Sequence, residues 1–519
     1  MEKIKAYLKK NKTHLWPFLL LFVLTVPLLL PLFRPGMFVS DDGGWMIVRL
    51  SDFHRSLRDG QFPVRWAGRL NFGYGYPVFN FLYPGALYLG EMIHLLGFNF
   101  ILSIKILFGL SLIFSCIFCY AWLKKLFPSW PALVGSFVYL YAPYHLFDIY
   151  TRGSLGEAVA LAILPLIFWL MEKKNIFLTA LFTAILITSH NTLALIFLPV
   201  IFLYGFLGKM FKTSHLILTL LLSFLLSAFF WVPALWDQQD TIFSQVTVSQ
   251  WQNFFLSRKN FSLLGWESLL LGLGSLLIVL NKRDKKALLF LIIFLFSIFL
   301  AMPLSSVVWQ VIPLPKLVQF PWRFLSLAII CLSFLTAFSL GTLSLKTKLN
   351  VGILIFVLFF LSSWPRLNQI KYELRNEEFY TTNEDTTTVK REYTPRWVKN
   401  FPANHPGKKV ELVSGQGQIN LISQNSRRII FTTENQTETT IKVNLVYFPG
   451  WLAKIDEVKT PIFFENEGGL IFLSVPQGKH KIEVLWEETT LRKLSDILSF
   501  VTFTGLILGL LFRGKLKDA

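Results

Sequence analysis

Repeated apolar runs of about 20 residues are the feature that most constrains this chain. A run of that length crosses the hydrocarbon core of a bilayer as an α-helix, and a soluble domain has no need of many of them. The 519 residues are 53% hydrophobic and only 16% charged, and they include 52 phenylalanines. The sequence therefore predicts an α-helical polytopic membrane protein.

The positive charge of the chain indicates membrane topology rather than a nucleic-acid partner. The formal net charge is +19, but much of it lies in short basic clusters between the apolar runs. Cytoplasmic loops carry such clusters in the positive-inside pattern. The basic amino terminus precedes an apolar run without a small-residue cleavage site, so we interpret that run as an uncleaved first membrane helix.

The predicted topology has about twelve spans, with both termini in the cytoplasm. The first span covers residues 15–33, and a large outer loop, residues 34–100, follows it. Within this loop we expect 78–97 to be re-entrant or interfacial, because a full span there would invert every later basic cluster. Residues 1–364 then form one transmembrane domain, whose further spans lie at 101–123, 130–147, 158–171, 176–190, 192–208, 215–236, 263–280, 287–302, 321–345 and 350–364.

Residues 365–493 have a different composition and predict an extracytoplasmic β domain. Threonine, asparagine and charged residues replace the apolar runs, while residues 441–446 and 481–485 alternate as half-buried strands do. Turn signals separate such stretches at 448–450, 467–469 and 476–478. We expect an antiparallel, sandwich-like domain here. Residues 494–519 then form the last transmembrane helix and a cytoplasmic tail.

The first outer loop contains the densest group of residues suited to chemistry. Asp41 and Asp42 directly follow the first span, and Asp52, His54, Arg55, Arg58, Arg65 and Arg69 come after them. A pair of carboxylates followed by basic residues suits a reaction site that faces an aqueous pocket. The alternative is a solvated loop whose charges hold it out of the lipid.

Three further clusters lie at the outer ends of predicted spans, where an ionisable side chain is costly unless it is paired or functional. Arg152 and Glu157 either pair structurally or line a cavity. His190 and Asn191 stand in apolar surroundings, where a histidine is either a packing residue or a ligand. Gln319 precedes Pro321, which suits a first helical turn, and Arg323 is then held at the membrane surface as an anchor or a binding residue.

The absence of nucleotide-binding motifs limits the possible donors. The chain has no GxxxxGK[ST] loop, no HExxH zinc motif and no GxSxG nucleophile elbow. Cys116 and Cys119 have metal-ligand spacing, but they lie in an apolar helix and, with Cys331, form no disulfide framework. An outward-facing enzyme of this kind needs a donor already in the membrane, and a sugar on a polyprenyl phosphate meets that need. A carboxylate would deprotonate the acceptor hydroxyl, and arginines would neutralise the departing phosphate.

Several sequence motifs are shared with one family of membrane proteins. They are spread over nearly the whole chain, and they read GQFPVRW, FGYGYPVFNFLYP, TRGSLGE, SHNTLALIFLP, QFPWRFL and YFPGW. With these motifs the chain resembles the bacterial and archaeal proteins labelled 6-pyruvoyl-tetrahydropterin synthase-related, which are grouped with the GT-C glycosyltransferases and are similar to YfhO-like proteins. That label does not denote pterin chemistry.

The resemblance implies roles for particular residues. GT-C enzymes carry an acidic residue in the first outer loop as the base or as the group that orients the acceptor, and Asp42 matches that position, with Asp41 beside it. The family often has a histidine shortly after the acid, whereas this chain reads Gly43-Gly44-Trp45-Met46. Many transferases of this fold need no metal, so we expect no metal and no cofactor. By their chemistry and position, and not by a role known in the family, the residues expected to bind substrate are Arg152, Glu157, His190, Asn191, Arg323, Gln319, His54, Arg65 and Arg69.

These expectations combine into one functional hypothesis with two alternatives. The hypothesis is a GT-C-type glycosyltransferase in the cytoplasmic membrane of a prokaryote, with its active site facing outward. It would transfer a sugar from a polyprenyl-phosphate donor to an envelope lipid, glycan or protein, and the β domain would bind acceptor or cover the site. The alternatives are a transporter or flippase for an envelope lipid, and a non-catalytic membrane scaffold. Membrane lipids are expected partners, and nucleic acid is not.

Overall fold

A computed structural model describes residues 2–246 and 250–515 of the chain. The α-helices lie at Glu2–Phe33, Gly43–Arg58, Val78–Phe81, Pro84–His94, Phe100–Leu126, Ser129–Tyr141, Pro143–Phe147, Leu155–Glu172, Ile176–Ser189, Asn191–Leu207, Thr213–Leu226, Ala228–Asp237, Trp266–Lys282, Lys285–Ala301, Ser306–Val311, Leu314–Leu317, Leu325–Gly341, Leu345–Asn368, Glu377–Thr381 and Thr490–Lys515. Shorter 3₁₀ or π turns lie at Asp148–Arg152, Gln238–Asp240, Phe243–Gln245, Trp251–Phe254, Phe261–Leu263, Pro303–Ser305 and Pro321–Phe324.

Long apolar helices confirm the predicted membrane class. Within the described residues, 6 helices are long and apolar enough to cross a bilayer, or up to 8 if each of two bent helix pairs counts as one span. The span predicted at 215–236 is broken, because one helix ends at Leu226 and the next begins at Ala228. Residues 78–97 contain only the short helices Val78–Phe81 and Pro84–His94, neither long enough to span. The total of about twelve spans stays a prediction.

The chain forms two compact units, and each contains segments that are distant in sequence. The first unit consists of Met1–Met46, Met92–Phe224 and Val248–Arg375. The second unit consists of Ile47–Glu91, Leu225–Thr247 and Asn376–Ala519. Residues 47–91 of the first outer loop therefore belong to the same unit as the β-strands between residues 410 and 486, whereas Asp41 and Asp42 belong to the first unit.

Close helix packing builds the first unit. Phe100–Leu126 packs against Leu155–Glu172, and Ser129–Tyr141 packs against Leu325–Gly341. A Cβ on Gly135 would lie 2.6 Å from the carbonyl oxygen of Ser333, so the backbones approach as closely as small residues in membrane helices permit. Around the buried Trp122 lie the rings of Phe168, Tyr204, Phe290 and Phe334, with centroids 4.9 to 6.1 Å away.

A short antiparallel pair of strands fixes the segment that follows the first helix. Strand β1 (Met37–Phe38) pairs with strand β2 (Tyr372–Glu373). The N–H of Val39 adds a hydrogen bond of 2.9 Å to the carbonyl of Lys371. The residues just before Asp41 and Asp42 are thereby tied to those that follow the helix Leu345–Asn368.

Two antiparallel sheets confirm the β domain predicted near the carboxyl terminus. One has the strand order β4 (Gly417–Gln424), β5 (Arg428–Asn435), β10 (Gly478–Trp486), β7 (Trp451–Ile455) and β8 (Val458–Thr460). The other has the order β3 (Val410–Ser414), β6 (Thr439–Val446) and β9 (Leu470–Val475). Their buried side chains share one core, which includes Phe431, Ile441, Val443, Ile471, Leu473, Ile482 and Val484.

Trp66, from the first outer loop, is part of that core. Its side chain is fully buried, and its ring centroid lies 5.5 Å from that of Trp451 and 5.3 Å from that of Trp486. Phe448, in the predicted turn at 448–450, completes the aromatic group at 6.5 Å from Trp66. The sequence analysis predicted no such role for Trp66.

Candidate functional site

The segment that contains Asp41 and Asp42, called the acidic loop below, is held by main-chain hydrogen bonds in the first unit. The N–H of Asp41 donates to the carbonyl of Thr151 at 3.0 Å, and the N–H of Asp42 donates to that of Arg152 at 2.7 Å. Asp42 directly precedes the helix Gly43–Arg58, and its carbonyl accepts a hydrogen bond of 3.0 Å from the N–H of Met46. The side chain of Asp41 is exposed and that of Asp42 is half-buried, so both carboxylates remain accessible.

Gly153 allows the two segments to approach each other. It has φ +64°, in the left-handed region that glycine adopts without strain, and it ends the π turn Asp148–Arg152. A Cβ at this position would lie 2.6 Å from the backbone nitrogen of Gly43. The contact between the acidic loop and residues 151–152 therefore requires glycine here.

A buried ionic cluster lies at the same turn, and Glu157 is its centre. Oε1 of Glu157 accepts hydrogen bonds from Arg152 and from Nε of Arg323, the latter at 2.9 Å. Nε2 of His190 lies 3.6 Å from the same oxygen. The hydroxyl of Tyr144 donates to Oε2 of Glu157 at 3.2 Å. All of these side chains are buried.

Neighbouring groups fix the orientation of the basic members. Nη1 of Arg323 donates to Oε1 of Gln319 and to the carbonyl of Val318, both at 2.8 Å. Nδ1 of His190 accepts a hydrogen bond of 3.1 Å from the N–H of Leu193, which assigns the proton of the neutral ring to Nε2, on the side of Glu157. His190 thus also caps the helix Asn191–Leu207.

Two arginines and two carboxyl groups meet in the cluster, but the carboxyl groups are not shared evenly between the arginines. One carboxylate, Glu157, is shared by two guanidinium groups. Asp148 also contacts Arg152, at 3.0 Å, but burial, followed by the repulsion of Glu157, raises the pKa of Asp148 well above its ordinary value. Burial therefore works against a second negative charge beside Arg152 and Arg323.

The pKa of Asp41 is also raised. Desolvation is the largest cause, the adjacent Asp42 carboxylate adds to it, and Arg152 opposes both. A carboxylate whose pKa moves toward neutrality is a better proton acceptor than an ordinary surface aspartate. The arrangement therefore suits proton removal from a hydroxyl beside a positively charged group.

Seven of the eleven predicted site residues come together at this place. Asp41, Asp42, Arg152, Glu157, His190, Gln319 and Arg323 are joined by the contacts given above. The side chain of Asn191 is exposed, and its oxygen accepts a hydrogen bond from the N–H of Thr192. Asp148 and Tyr144 were not predicted as site residues, although Asp148, directly after the span predicted at 130–147, carries the same signal as Arg152.

The last three of the eleven predicted site residues, which are His54, Arg65 and Arg69, have partners within the second unit. Nδ1 of His54 lies 2.8 Å from Glu91. Arg65 is bound by Asp496 at 2.6 Å and by Glu488 at 3.1 Å. Arg69 donates to the hydroxyl of Ser51 at 2.7 Å. Their roles in substrate binding stay predictions. Among residues 2–246 and 250–515, no group of three or more His, Cys, Asp or Glu side chains is placed to hold a metal ion.

Comparison with known proteins identifies a family. Residues 79–370 match the family model described as "6-pyruvoyl-tetrahydropterin synthase related domain; membrane protein". No curated protein matches the chain. Among solved structures, it is similar to the oligosaccharyltransferase of Archaeoglobus fulgidus in the apo form, with a TM-score of 0.44 and 13% sequence identity. That similarity covers 73% of this chain and 57% of the oligosaccharyltransferase chain.

Proposed function

Because this chain belongs to the 6-pyruvoyl-tetrahydropterin synthase related family of membrane proteins, we propose that it is an integral membrane glycosyltransferase. The donor is a sugar on a polyprenyl phosphate, and the acceptor is a lipid, glycan or protein outside the cytoplasmic membrane of a prokaryote. Both termini lie in the cytoplasm, and the site faces outward. The reaction requires no metal ion and no cofactor.

The main-chain hydrogen bond from the N–H of Asp42 to the carbonyl of Arg152 is the observation that supports this proposal best. It places two accessible carboxylates directly on the turn whose arginine side chain enters the buried cluster. A transferase that uses a lipid-phosphate donor needs a base and a phosphate-binding cation close together. The carboxylates and the arginines meet that requirement within one unit of the fold.

The carboxylate of Asp42, or that of Asp41, acts as the base. It accepts the proton of the acceptor hydroxyl while that oxygen forms a bond to the anomeric carbon of the donor sugar. The bond between the anomeric carbon and the phosphate oxygen breaks, and its electron pair remains on the lipid phosphate. The raised pKa of Asp41 assists this step if Asp41 is the base.

The arginines stabilise the phosphate that departs. Arg152 and Arg323 share the single carboxylate of Glu157, so each has donors and charge to offer a phosphate oxygen. Glu157, Gln319 and Tyr144 hold the cluster in place before the donor arrives. The positive charge of the two guanidinium groups favours the developing negative charge on the leaving group.

Transfer from labelled donors tests the proposal. Purified protein in nanodiscs is supplied with radiolabelled polyprenyl-phosphate sugars, with and without an envelope-lipid extract. We expect release of sugar by the wild type and a loss of at least about 100-fold in the double variant Asp41→Asn/Asp42→Asn. Glu465→Gln is the matched control, because its carboxylate is exposed and forms no hydrogen bond or ion pair within the described residues. Full activity of the double variant would overturn the assignment.

A flippase for an envelope lipid is the second candidate, and a bent helix pair favours it. Lys285–Ala301 and Pro303–Val311 meet at an angle of 84°, and broken helices of this kind line substrate sites in transporters. Binding of labelled donors without sugar release, accompanied by movement of the lipid across a liposome membrane, would favour this candidate over the transferase.

A further inference from the structure

The second unit contains a large cavity that the proposed transfer reaction does not use. Its volume is about 960 Å³, in the range of small-molecule sites. Its walls come from three sources: the helix Gly43–Arg58, the loop that contains Gly68 and Gly73, and the edge formed by β3 and β4 with the segments on either side. All of these residues belong to the second unit.

Basic side chains dominate the polar lining of this cavity. Arg55 and Lys408 are exposed at its walls, and neither charged group forms an ion pair or hydrogen bond within the described residues. The ammonium group of Lys409 donates to the carbonyl of Gly73 at 2.7 Å, which leaves its charge uncompensated. Arg69, also on the wall, donates to the oxygens of Ser51 and Val48, and its Nε lies 3.9 Å from the buried carboxyl group of Asp52.

The carboxylates of the lining offset these cations only in part, because Glu411 is paired with Lys442 and Glu384 is a single negative charge. Oε2 of Glu384 lies 2.8 Å from Nδ1 of His405. Glu411 forms an ion pair of 2.7 Å with Lys442 and accepts a hydrogen bond from Asn444. The cavity is therefore electropositive, and the ligand that best compensates it is an anion.

The remaining lining indicates a hydroxylated ligand rather than a nucleotide or a lipid chain. Gln424 and Asn425 provide side-chain amides at the wall, which can hydrogen-bond to hydroxyl groups. Ile419 and Leu421 provide small apolar surfaces against which the C–H faces of a sugar can pack. The lining includes no Phe, Tyr or Trp side chain on which a base could stack.

We propose that this cavity binds an anionic saccharide, with Arg55 and Lys408 as the residues that bind its carboxylate or phosphate groups. Lys409 contributes further positive charge from the wall, and Gln424 and Asn425 bind hydroxyl groups. The saccharide comes either from a soluble glycan or from the headgroup of a glycolipid, because both present the same chemistry. The binding does not depend on the transfer reaction proposed above.

Fluorescence polarisation with the full chain in detergent tests this proposal. The anionic probes are labelled tetragalacturonate and labelled mannose 6-phosphate, and their neutral counterparts are fully methyl-esterified tetragalacturonate and mannose. We expect at least one anionic probe to bind, and its neutral counterpart to bind at least about tenfold more weakly. Absence of binding by both anionic probes, or equal binding of charged and neutral forms, would overturn the proposal.

Substitutions at exposed positions connect the binding to the cavity. Arg55→Ala and Lys408→Glu are each expected to weaken the binding about tenfold, because each removes a charge-assisted hydrogen bond. Lys459→Glu is the matched control for Lys408→Glu, since Lys459 is an exposed lysine of the same domain outside this lining and changes the net charge equally. An equal effect of Lys459→Glu would mean that the net charge of the protein, and not the cavity, attracts the probe.

Competition identifies the source of the saccharide. Nanodiscs that contain phosphatidylinositol displace the probe if the cavity accepts a lipid headgroup, whereas phosphatidylcholine nanodiscs do not. Retention of the probe against both supports a soluble glycan. No donor is present in these measurements, so a protein that binds the probes but transfers no sugar contradicts the transferase proposal alone.

Discussion

Nε of Arg323 donates to Oε1 of Glu157 at 2.9 Å, although the two residues are 166 positions apart in the chain. The same oxygen accepts a hydrogen bond from Arg152, so one buried carboxylate holds two arginines from different helical segments. This shared contact joins the turn at 148–152 to the turn Pro321–Phe324. The geometry of the candidate site therefore depends on Glu157.

Glu157→Gln is expected to lower the stability of the protein markedly. The amide is nearly isosteric, but it takes the carboxylate partner from the buried Arg323 and leaves Arg152 with Asp148 alone. Removal of one partner from a buried ion pair costs about 3–5 kcal/mol of unfolding free energy. Thermal unfolding in detergent measures the effect, with Glu465→Gln as the control. A variant as stable as the wild type would mean that Arg152 and Arg323 find other partners.

Gly153→Ala is expected to disturb the acidic loop with a smaller loss of stability. The substitution places a Cβ 2.6 Å from the nitrogen of Gly43 and forces alanine to adopt φ +64°. A non-glycine residue in this region costs about 1–3 kcal/mol. Because Asp41 and Asp42 move relative to Arg152, we expect a clear loss of donor-dependent sugar release at temperatures where the variant is still folded. The unfolding temperature itself should fall only slightly.

The control for that variant is Gly274→Ala. A Cβ on Gly274 meets no heavy atom within 4 Å, and the residue lies in the helix Trp266–Lys282. Equal losses of activity in the two variants would contradict the role assigned to Gly153.

Local patterns in the sequence predicted the fold class and the individual members of the site. Apolar runs and alternating residues are local patterns, and in the folded chain they correspond to helices and strands. Arg152, Glu157, His190 and Arg323 stood out because an ionisable residue at the end of an apolar span needs a partner. The pair of Arg152 and Glu157 was one of the two alternatives that the sequence left open. The contacts of His190 and Arg323 with Glu157 were not predictable, because they depend on how the helices pack.

Other features carried no local signal. Trp66 lies in a polar, irregular loop, so nothing in its surroundings indicated that it enters the core of the β domain. The break after Leu226 interrupts a run that is apolar throughout, and composition alone does not reveal it. The lining of the cavity combines Arg55 with Lys408, and only the folded chain places them on one surface.

Trp66→Ala tests the place of the outer loop in the second unit. The variant removes a fully buried indole that packs against Trp451 and Trp486. A substitution of this kind in a core costs about 3–5 kcal/mol. Trp266→Ala is the control, since 66% of the Trp266 side chain is exposed. We expect a clear drop in unfolding temperature for Trp66→Ala only, and equal drops would contradict the packing described here.

Binding of an anionic saccharide in the cavity is expected to weaken as the pH rises. Burial is the largest cause that lowers the pKa of Lys409, from its ordinary value to about 8, and Arg55 adds to it while Glu384 opposes it. Arg69, Lys408, His405 and Glu411 also face the cavity. Above about pH 8 the ammonium of Lys409 loses its proton, so the attraction for an anion decreases as the pH rises through that value.

The measurement is the dissociation constant of labelled tetragalacturonate between about pH 7 and pH 9.5, a window above the ordinary titration range of histidine and carboxylates and below that of arginine. We expect affinity to decrease across this window in the wild type and to be lower and nearly constant in Lys409→Met. Lys459→Met is the control and should keep the pH dependence of the wild type. A wild-type affinity that does not change with pH would show that Lys409 contributes no charge to the binding.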